Sequence, residues 1–368
     1  MERAAGLASI AATMQQSIFQ FPSDEVLFES GDSLFAKEVK RWRLLRRALR
    51  EFDVIHYNFG QPLICPVAEP VHVWPPARAL RTLVLQPVRN LLGFADVAWL
   101  KRAGKAIVVT YQGDDARQGD YSLRHYKISI AAEAAPGYYT PATDALKRDM
   151  IARFARHADR IYAVNPDLLN VLPAKARFLP YANIDLAAWQ PSGQSSRKQP
   201  RVLHAPSHRG AKGTRYLLDA VERLRAEGIE FELELVEGLS HEEARKRFDA
   251  ADLVVDQLLA GWYGGFAVEV MALGKPVVAY LREDDLRHLP EAMRHELPVI
   301  SAEPGTIYTV LRSWLTDRRA ELFERGRASR SFVERWHDAG HIARFLAAEY
   351  RAALDGQTVP AEFHPAGA

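Results

Sequence analysis

Residues 251–280, ADLVVDQLLAGWYGGFAVEVMALGKPVVAY, set short apolar blocks between small and polar ones. Two of these blocks, Leu253–Val255 and Val277–Ala279, are valine-rich and bounded by Asp, Gly and Pro. That composition predicts short parallel strands buried on both faces. Between them a glycine-rich turn, 261–265, leads into an apolar segment, 266–273, that Gly274 and Pro276 stop. The order predicted is strand, turn, short helix, strand. The same grammar appears upstream. Residues 201–205 read as a strand, and 216–224 place Leu217, Leu218, Val221 and Leu224 on one helical face. In the N-terminal half, 52–57 (FDVIHY) and 106–111 (AIVVTY) read as buried strands, each followed by polar residues and glycine.

The loops carry the chemistry. Glycines let backbone N–H groups approach a ligand, and the helix start behind them favours negative charge. Glu269 falls about one turn into the predicted helix, where a carboxylate accepts hydrogen bonds from a pair of sugar hydroxyls. A phosphate site beside such a carboxylate suggests a nucleotide. The upstream loop, 206–214, offers Ser207, His208, Arg209, Gly210, Lys212 and Gly213 at a second helix start. Taken singly, Lys212 reads as a helix-entry lysine and Glu269 as a surface glutamate. Together the two loops suggest helix ends converging on one pyrophosphate. In the N-terminal half, His56, Asn58 and Gly60 follow one strand, and Gln112, Gly113, Asp114 and Asp115 follow the other. Ligands of open α/β sheets bind beyond the carboxyl ends of strands, so both tips are candidate cleft positions. His56 reads equally as a cleft residue or a satisfied core histidine. The Asp114-Asp115 pair reads as a loop rather than a metal site.

These motifs resemble the nucleotide-sugar domain of GT-B glycosyltransferases, in particular the retaining group called family four (glycosyl transferases group 1). In that group a basic pair ends in Lys-Gly, matched here by Lys212-Gly213. The first basic residue usually stands where this chain has Ser207, and Arg209 is the nearer substitute. The group also carries two glutamates eight residues apart around its glycine turn. Glu269 matches the second, followed by Gly274-Lys275-Pro276-Val277-Val278, whereas the first falls on Gly261. The resemblance implies that Ser207, Arg209, Lys212, Gly213, Gly264, Gly265, Phe266 and Glu269 hold the diphosphate and ribose of a nucleotide-sugar donor. It places His56 and Asn58 on the acceptor side, where relatives often carry His-x-His, and Gln112 where a histidine is common. Asp114, Gln112 and Asp256 are the catalytic candidates, Asp256 (or Gln257) as a replacement for the missing carboxylate. The resemblance covers roughly residues 50–350 and is strongest over 200–280.

It implies two Rossmann-like doubly wound α/β domains facing a cleft, with a C-terminal helix crossing back to the N-terminal one. The expected divisions are an acceptor domain over 1–185, a linker over 186–200 and a nucleotide-sugar domain over 201–335. A crossing helix over 336–354 and a flexible tail over 355–368 follow. The opening MERAAGLASIAATMQQ resembles a first glycine loop and helix whose preceding strand is missing. The implied activity is transfer of a hexose from a nucleotide-diphosphate sugar to a glycan or lipid-linked acceptor. Transfer is expected to be retaining and metal-independent, with the nucleotide sugar as co-substrate and no cofactor. Gly261, Asn58 and Gln112 also fit a catalytically inactive nucleotide-sugar-binding protein. An epimerase on the same fold would need an acid and a base that the motifs do not supply.

Composition sets the outer bounds. The chain has 368 residues, 48% hydrophobic and 26% charged, as in a soluble globular protein of two domains. Its single cysteine, Cys65, excludes an intramolecular disulfide and fits a reducing cytoplasm. A net charge of +2 gives no argument for nucleic acid. Basic side chains gather over 37–50 with Trp42, Leu45 and Leu49 at helical spacing, and the stretch 78–105 is similar in character. The first reads as a solvated helix packed by its apolar stripe, or as peripheral contact with the inner face of an anionic membrane.

Overall fold

The computed structural model describes residues 2–15, 23–64, 92–191, 193 and 197–365; Cys65 and positions 78–91 of the second basic stretch lie outside them. The chain forms two compact units. The first comprises Met1–Asp120, Tyr139–Leu179 and Arg344–Glu362, the second Tyr121–Tyr138, Pro180–Ala343 and Phe363–Ala368. Every strand pairing among the described residues is parallel, as the buried apolar runs require.

In the first unit, β1 (Ala12–Thr13) pairs with β2 (Glu25–Val26). The main sheet runs β3 (Val54–Tyr57), β4 (Ala106–Tyr111), β5 (Arg160–Ala163), β6 (Arg177–Phe178) in spatial order. All six residues of β4 are buried, so its side chains pack on both faces. Leu45 and Ala48 of helix Leu34–Glu51 and Val97 and Leu100 of helix Ala95–Arg102 supply the core. Phe154 meets Tyr57 and Phe94 edge-on, each at 5.1 Å. Burial of each such side chain contributes about 1.5–3 kcal/mol.

Arg160, the first residue of β5, is fully buried. Its Nε donates to Glu349 at 2.6 Å, and Tyr162 donates its hydroxyl to the same carboxylate at 3.1 Å. Glu349 lies on the last helix, Ala339–Leu354, and segment 344–362 belongs to this first unit as the crossing helix predicts. A charge deep in an α/β unit is tolerated because its partner is delivered by a segment distant in sequence.

The second unit is built on β7 (Arg201–His204), β8 (Glu232–Leu235), β9 (Leu253–Val255), β10 (Val277–Ala279) and β11 (Ile300–Ser301), in the order β11-β10-β9-β7-β8. Helix Thr214–Ala226 buries Leu217, Val221 and Leu224 together with Leu311 and Trp314 of helix Ile307–Leu315. Helix Gly265–Ala272 packs against helix Leu322–Trp336.

Three segments differ from the sequence expectation. Residues 121–138, expected in the first domain, group with the second unit. The expected linker, 186–200, includes buried Trp189 and Pro200, and Arg330 donates to the Trp189 carbonyl. In the expected flexible tail, Phe363 is only 2% exposed and packs tilted against Trp336 and edge-on against His341, while His341 Nε2 donates to the His364 carbonyl at 2.8 Å. In the linker and the tail a single buried aromatic, Trp189 or Phe363, anchors a stretch whose mean composition is that of a loop.

Glu349→Ala leaves the Arg160 guanidinium buried without its carboxylate. It is expected to cost about 3–5 kcal/mol of unfolding free energy, measured by urea denaturation, with Arg160→Met/Glu349→Leu recovering most of the loss.

Candidate functional site

The strand order creates the site. Because β7 lies between β8 and β9, the chain reverses its direction of propagation across the sheet at the β7/β9 boundary. The loops leaving these two carboxyl ends flank the usual ligand position in such a sheet, the crevice at its switch point. His204 closes β7 and ties the crevice walls together. Its Nδ1 donates to the Val255 carbonyl at 2.8 Å, and its Nε2 accepts from the Thr214 hydroxyl at 2.8 Å. Burial pushes this imidazole below its ordinary pKa, which the Val255 carbonyl partly opposes. The neutral ring therefore locks the end of β9 to the start of helix Thr214–Ala226.

The loop after β7 contains a one-turn helix, Arg209–Lys212, capped by His208, whose Nδ1 accepts from the Ala211 N–H at 3.2 Å. It delivers Lys212 to the crevice. Lys212 Nζ donates to Asp256 Oδ1 at 2.7 Å and Gln257 Oε1 at 2.9 Å. The other Asp256 oxygen accepts from the Gly264 N–H at 2.7 Å, and Gly264 is the N-cap of helix Gly265–Ala272. A Cβ on Gly264 would lie 3.4 Å from Lys212 Nζ. An ammonium, a backbone N–H and a helix N-terminus thus converge within a few ångströms, a combination suited to phosphate.

Glu269 lies on the same helix and is buried. Burial raises its pKa, while His241 and Asn183 act to lower it. His241 Nε2 is 3.3 Å from Glu269 Oε1, and Asn183 Nδ2 donates to the Gly265 carbonyl at 3.2 Å. Phe266 packs edge-on against Phe248 at 4.9 Å. Of the remaining donor-side candidates, Ser207 is exposed, and Arg209 forms a two-point ion pair with Glu237 at 2.8 and 2.5 Å. The structure brings Lys212, Gly264 and Asp256 together and commits Arg209 elsewhere, so the expected basic pair is not assembled.

Gly261, where the resemblance places a glutamate, adopts φ +84°. A Cβ there would stand 2.4 Å from Nη1 of Arg282. That guanidinium is itself buried, bonded to Asp285 at 2.6 Å and the Ile128 carbonyl at 2.9 Å, and stacked over Tyr126 at 3.6 Å. Arg282 also donates its N–H to the Gly261 carbonyl at 2.9 Å. The missing carboxylate is therefore replaced by a cation that packs where its Cβ would stand. Asp256, the proposed substitute, is tied to Lys212 and Gly264.

In the first unit the candidates have structural partners. His56 Nδ1 donates to the Tyr350 hydroxyl at 2.6 Å, which in turn donates to Glu2 at 2.8 Å, and its Nε2 accepts from Thr110 at 2.7 Å. Burial lowers its pKa to about 4, so it is neutral at ordinary pH. Asn58 is exposed. Asp115 accepts from the N–H groups of Gly60, Gln112 and Gly113, at 3.2, 3.0 and 2.8 Å, and shapes the loop after β4. Gln112 has its carbonyl bonded to Asn165 at 2.6 Å. Asp114, 39% exposed, accepts from Arg117 at 3.0 Å and Tyr139 at 2.6 Å. Among the described residues no three His, Cys, Asp or Glu side chains are grouped to hold a metal ion.

The sequence reading missed His204, His241, Asn183 and Arg282. Arg282 follows β10 and His204 ends β7, so the strand-tip rule that selected His56 and Gln112 also selects them. His241 follows a Ser240 cap on a polar helix and carried no signal. Asn183, within the expected bounds of the first domain, belongs to the second unit.

Gly261→Glu is expected to lower stability by about 2–3 kcal/mol through its left-handed backbone and the displaced guanidinium. Chemical denaturation of the variant, with Gly261→Ala as the smaller test of the same clash, measures it.

No protein-family model matches the sequence, and no curated protein matches it. Solved structures do share its fold. Sucrose-phosphate synthase from Thermosynechococcus elongatus aligns over 89% of this chain and 81% of its own, at TM-score 0.56 and 16% identity. Anabaena HepE in complex with UDP-glucose aligns over 88% and 86%, at TM-score 0.53 and 13% identity. The HepE complex with UDP gives TM-score 0.52 at 13% identity over 85% and 82%. Such matches establish architecture, and the architecture of this chain is the two-domain GT-B fold of glycosyltransferases.

Proposed function

We propose that the protein is a glycosyltransferase that moves a hexose from a nucleotide-diphosphate sugar to a glycan or lipid-linked acceptor, with retention and without a metal ion. One observation carries the reading. At the switch point of a parallel sheet, Lys212 and the Gly264 N–H each donate to one oxygen of the Asp256 carboxylate at 2.7 Å, the spacing two phosphate oxygens would need. The helix beginning there also carries buried Glu269 as a ribose acceptor. In the reaction the bond from the anomeric carbon to the diphosphate oxygen breaks and the electron pair leaves with the diphosphate. The acceptor hydroxyl oxygen bonds the carbon and passes its proton to the departing diphosphate oxygen. Lys212 and the helix N-terminus oppose the charge growing on the leaving group, the role a metal ion plays elsewhere. The UDP and UDP-glucose in the HepE complexes make uridine nucleotides the first donors to test.

A second reading, a nucleotide-sugar-binding protein without turnover, is favoured by the structural commitments of His56 and Asp114. Transfer assays separate the two readings once binding is established.

The acceptor side gives a reason to favour a lipid-linked substrate. On helix Leu34–Glu51, Lys40 is paired with Glu29 and Asp32, and Arg47 with Glu25 and Glu51. The remaining outer face presents Phe35, 80% exposed, and Trp42, 39% exposed, with exposed Arg43, Arg46 and Arg50. At about 100° per residue these five side chains fall on one sector, opposite the buried Ala48. Aromatic and arginine side chains on one helical sector suit the interface of an anionic membrane. No helix among the described residues is long and apolar enough to cross one.

UDP is expected to raise the melting temperature of the wild type, and Lys212→Ala to weaken its binding by about 10- to 100-fold. A panel of nucleoside diphosphates read by thermal shift measures this, and no response to any of them overturns the donor site. For the outer helix face, cosedimentation with phosphatidylserine-containing vesicles is expected to fall on the order of 100-fold in Arg43→Glu/Arg46→Glu/Arg50→Glu. Equal binding of wild type and variant excludes that contact.

A further inference from the structure

The groups that make the crevice attractive to phosphate are already engaged by one side chain. Asp256 stands immediately after β9, and its side chain is fully buried. One of its oxygens takes the Lys212 ammonium and the other takes the Gly264 N–H, both at 2.7 Å. A carboxylate bridging an ammonium and a helix N-cap amide makes the contacts that two oxygens of a phosphate would make. Gln257 holds Lys212 from the other side at 2.9 Å and is itself oriented by the Trp262 carbonyl. The lysine is therefore held in place by two residues of the loop it faces. Backbone also anchors Asp256, whose N–H donates to Val278 at 2.9 Å, while the Leu258 N–H donates to Lys212 at 3.1 Å. The carboxylate is attached to the sheet and the lysine to a short loop helix, so the lysine is the more movable partner.

We propose that Asp256 is a resident competitor for the donor diphosphate: it shares Lys212 and the Gly264 N–H with the incoming phosphate and so sets the affinity and selectivity of the site. This rests on the donor-site reading above. A phosphate arriving beside Lys212 meets a fixed negative charge on the same two donors. It displaces the contact only by bringing more charge and more oxygens than the carboxylate supplies. The competition acts on a diphosphate and not on a neutral ribose or base contact, so Asp256 lowers the preference for charged nucleotides over neutral ones and limits how tightly the diphosphate product is retained. Asp256 is a positioning and selectivity residue in this account, with no role at the reacting carbon.

The test compares UDP and uridine on wild type and Asp256→Asn by isothermal titration calorimetry. Asparagine keeps the size and an oxygen acceptor but removes the charge. Asp256→Asn is expected to bind UDP at least about ten-fold more tightly, with uridine affinity unchanged. Unchanged or weaker UDP binding, or equal changes for UDP and uridine, overturns the proposal and leaves the donor site standing. Absence of UDP binding in both proteins overturns the donor-site reading and this inference together. A wild-type measurement guards against misfolding of the variant. The Gly264 amide resonance is expected to shift on addition of UDP and stay in place with uridine. UDP binding that leaves that resonance unmoved also overturns the proposal.

Discussion

Pairing of β7 with β8 on one side and β9 on the other is the constraint from which the candidate site follows. Parallel strands deliver all their carboxyl ends to one edge, and a strand with later neighbours on both sides forces the connections leaving it to part there. The helix after β7 and the loop after β9 consequently open toward a common space. His204 makes the arrangement rigid, since one neutral imidazole bonds the end of β9 and the first residue of helix Thr214–Ala226. Lys212 and Asp256 meet because the sheet brings their loops together, across 44 positions of sequence.

Charge compensation is the second principle of the fold, and it distinguishes scaffold from site. Arg160 with Glu349, and Arg282 with Asp285, are enclosed pairs in which one further guanidinium nitrogen of each arginine reaches a backbone carbonyl. Removing one member strands the other without water, so such pairs make a fold specific more than they make it stable. The Lys212–Asp256 pair is different. Its carboxylate is enclosed, but its ammonium remains 14% exposed and sits at a helix N-terminus. That asymmetry leaves the cation open to exchange of partners. Glu269 is similarly placed, buried yet bordered by a half-exposed histidine.

Much of the fold was legible before any coordinates. The bounds predicted for β4, β9 and β10 from apolar runs coincide with the observed strands. They did so because valine-rich blocks closed by Asp, Gly and Pro leave little freedom in where a buried strand begins and ends. The crossing of the chain back to the first unit was also foreseen through the resemblance. Tail and linker were read less well. Phe363 and Trp189 are single anchors in polar, glycine- and proline-bearing stretches, and a composition average does not register one aromatic side chain.

The sequence by itself determined the alternation of strands and helices and the placement of Lys212, Gly264 and Glu269 at or just behind two helix starts, because each follows from local pattern and from backbone chemistry there. Tertiary structure alone decided which partners these residues keep. Arg209 went to Glu237 and Lys212 to Asp256, and Arg282 took the space at Gly261. Hydrogen bonds and ion pairs depend on distances of a few ångströms between segments far apart along the chain. Those distances are set by strand order and packing, and no local pattern encodes them.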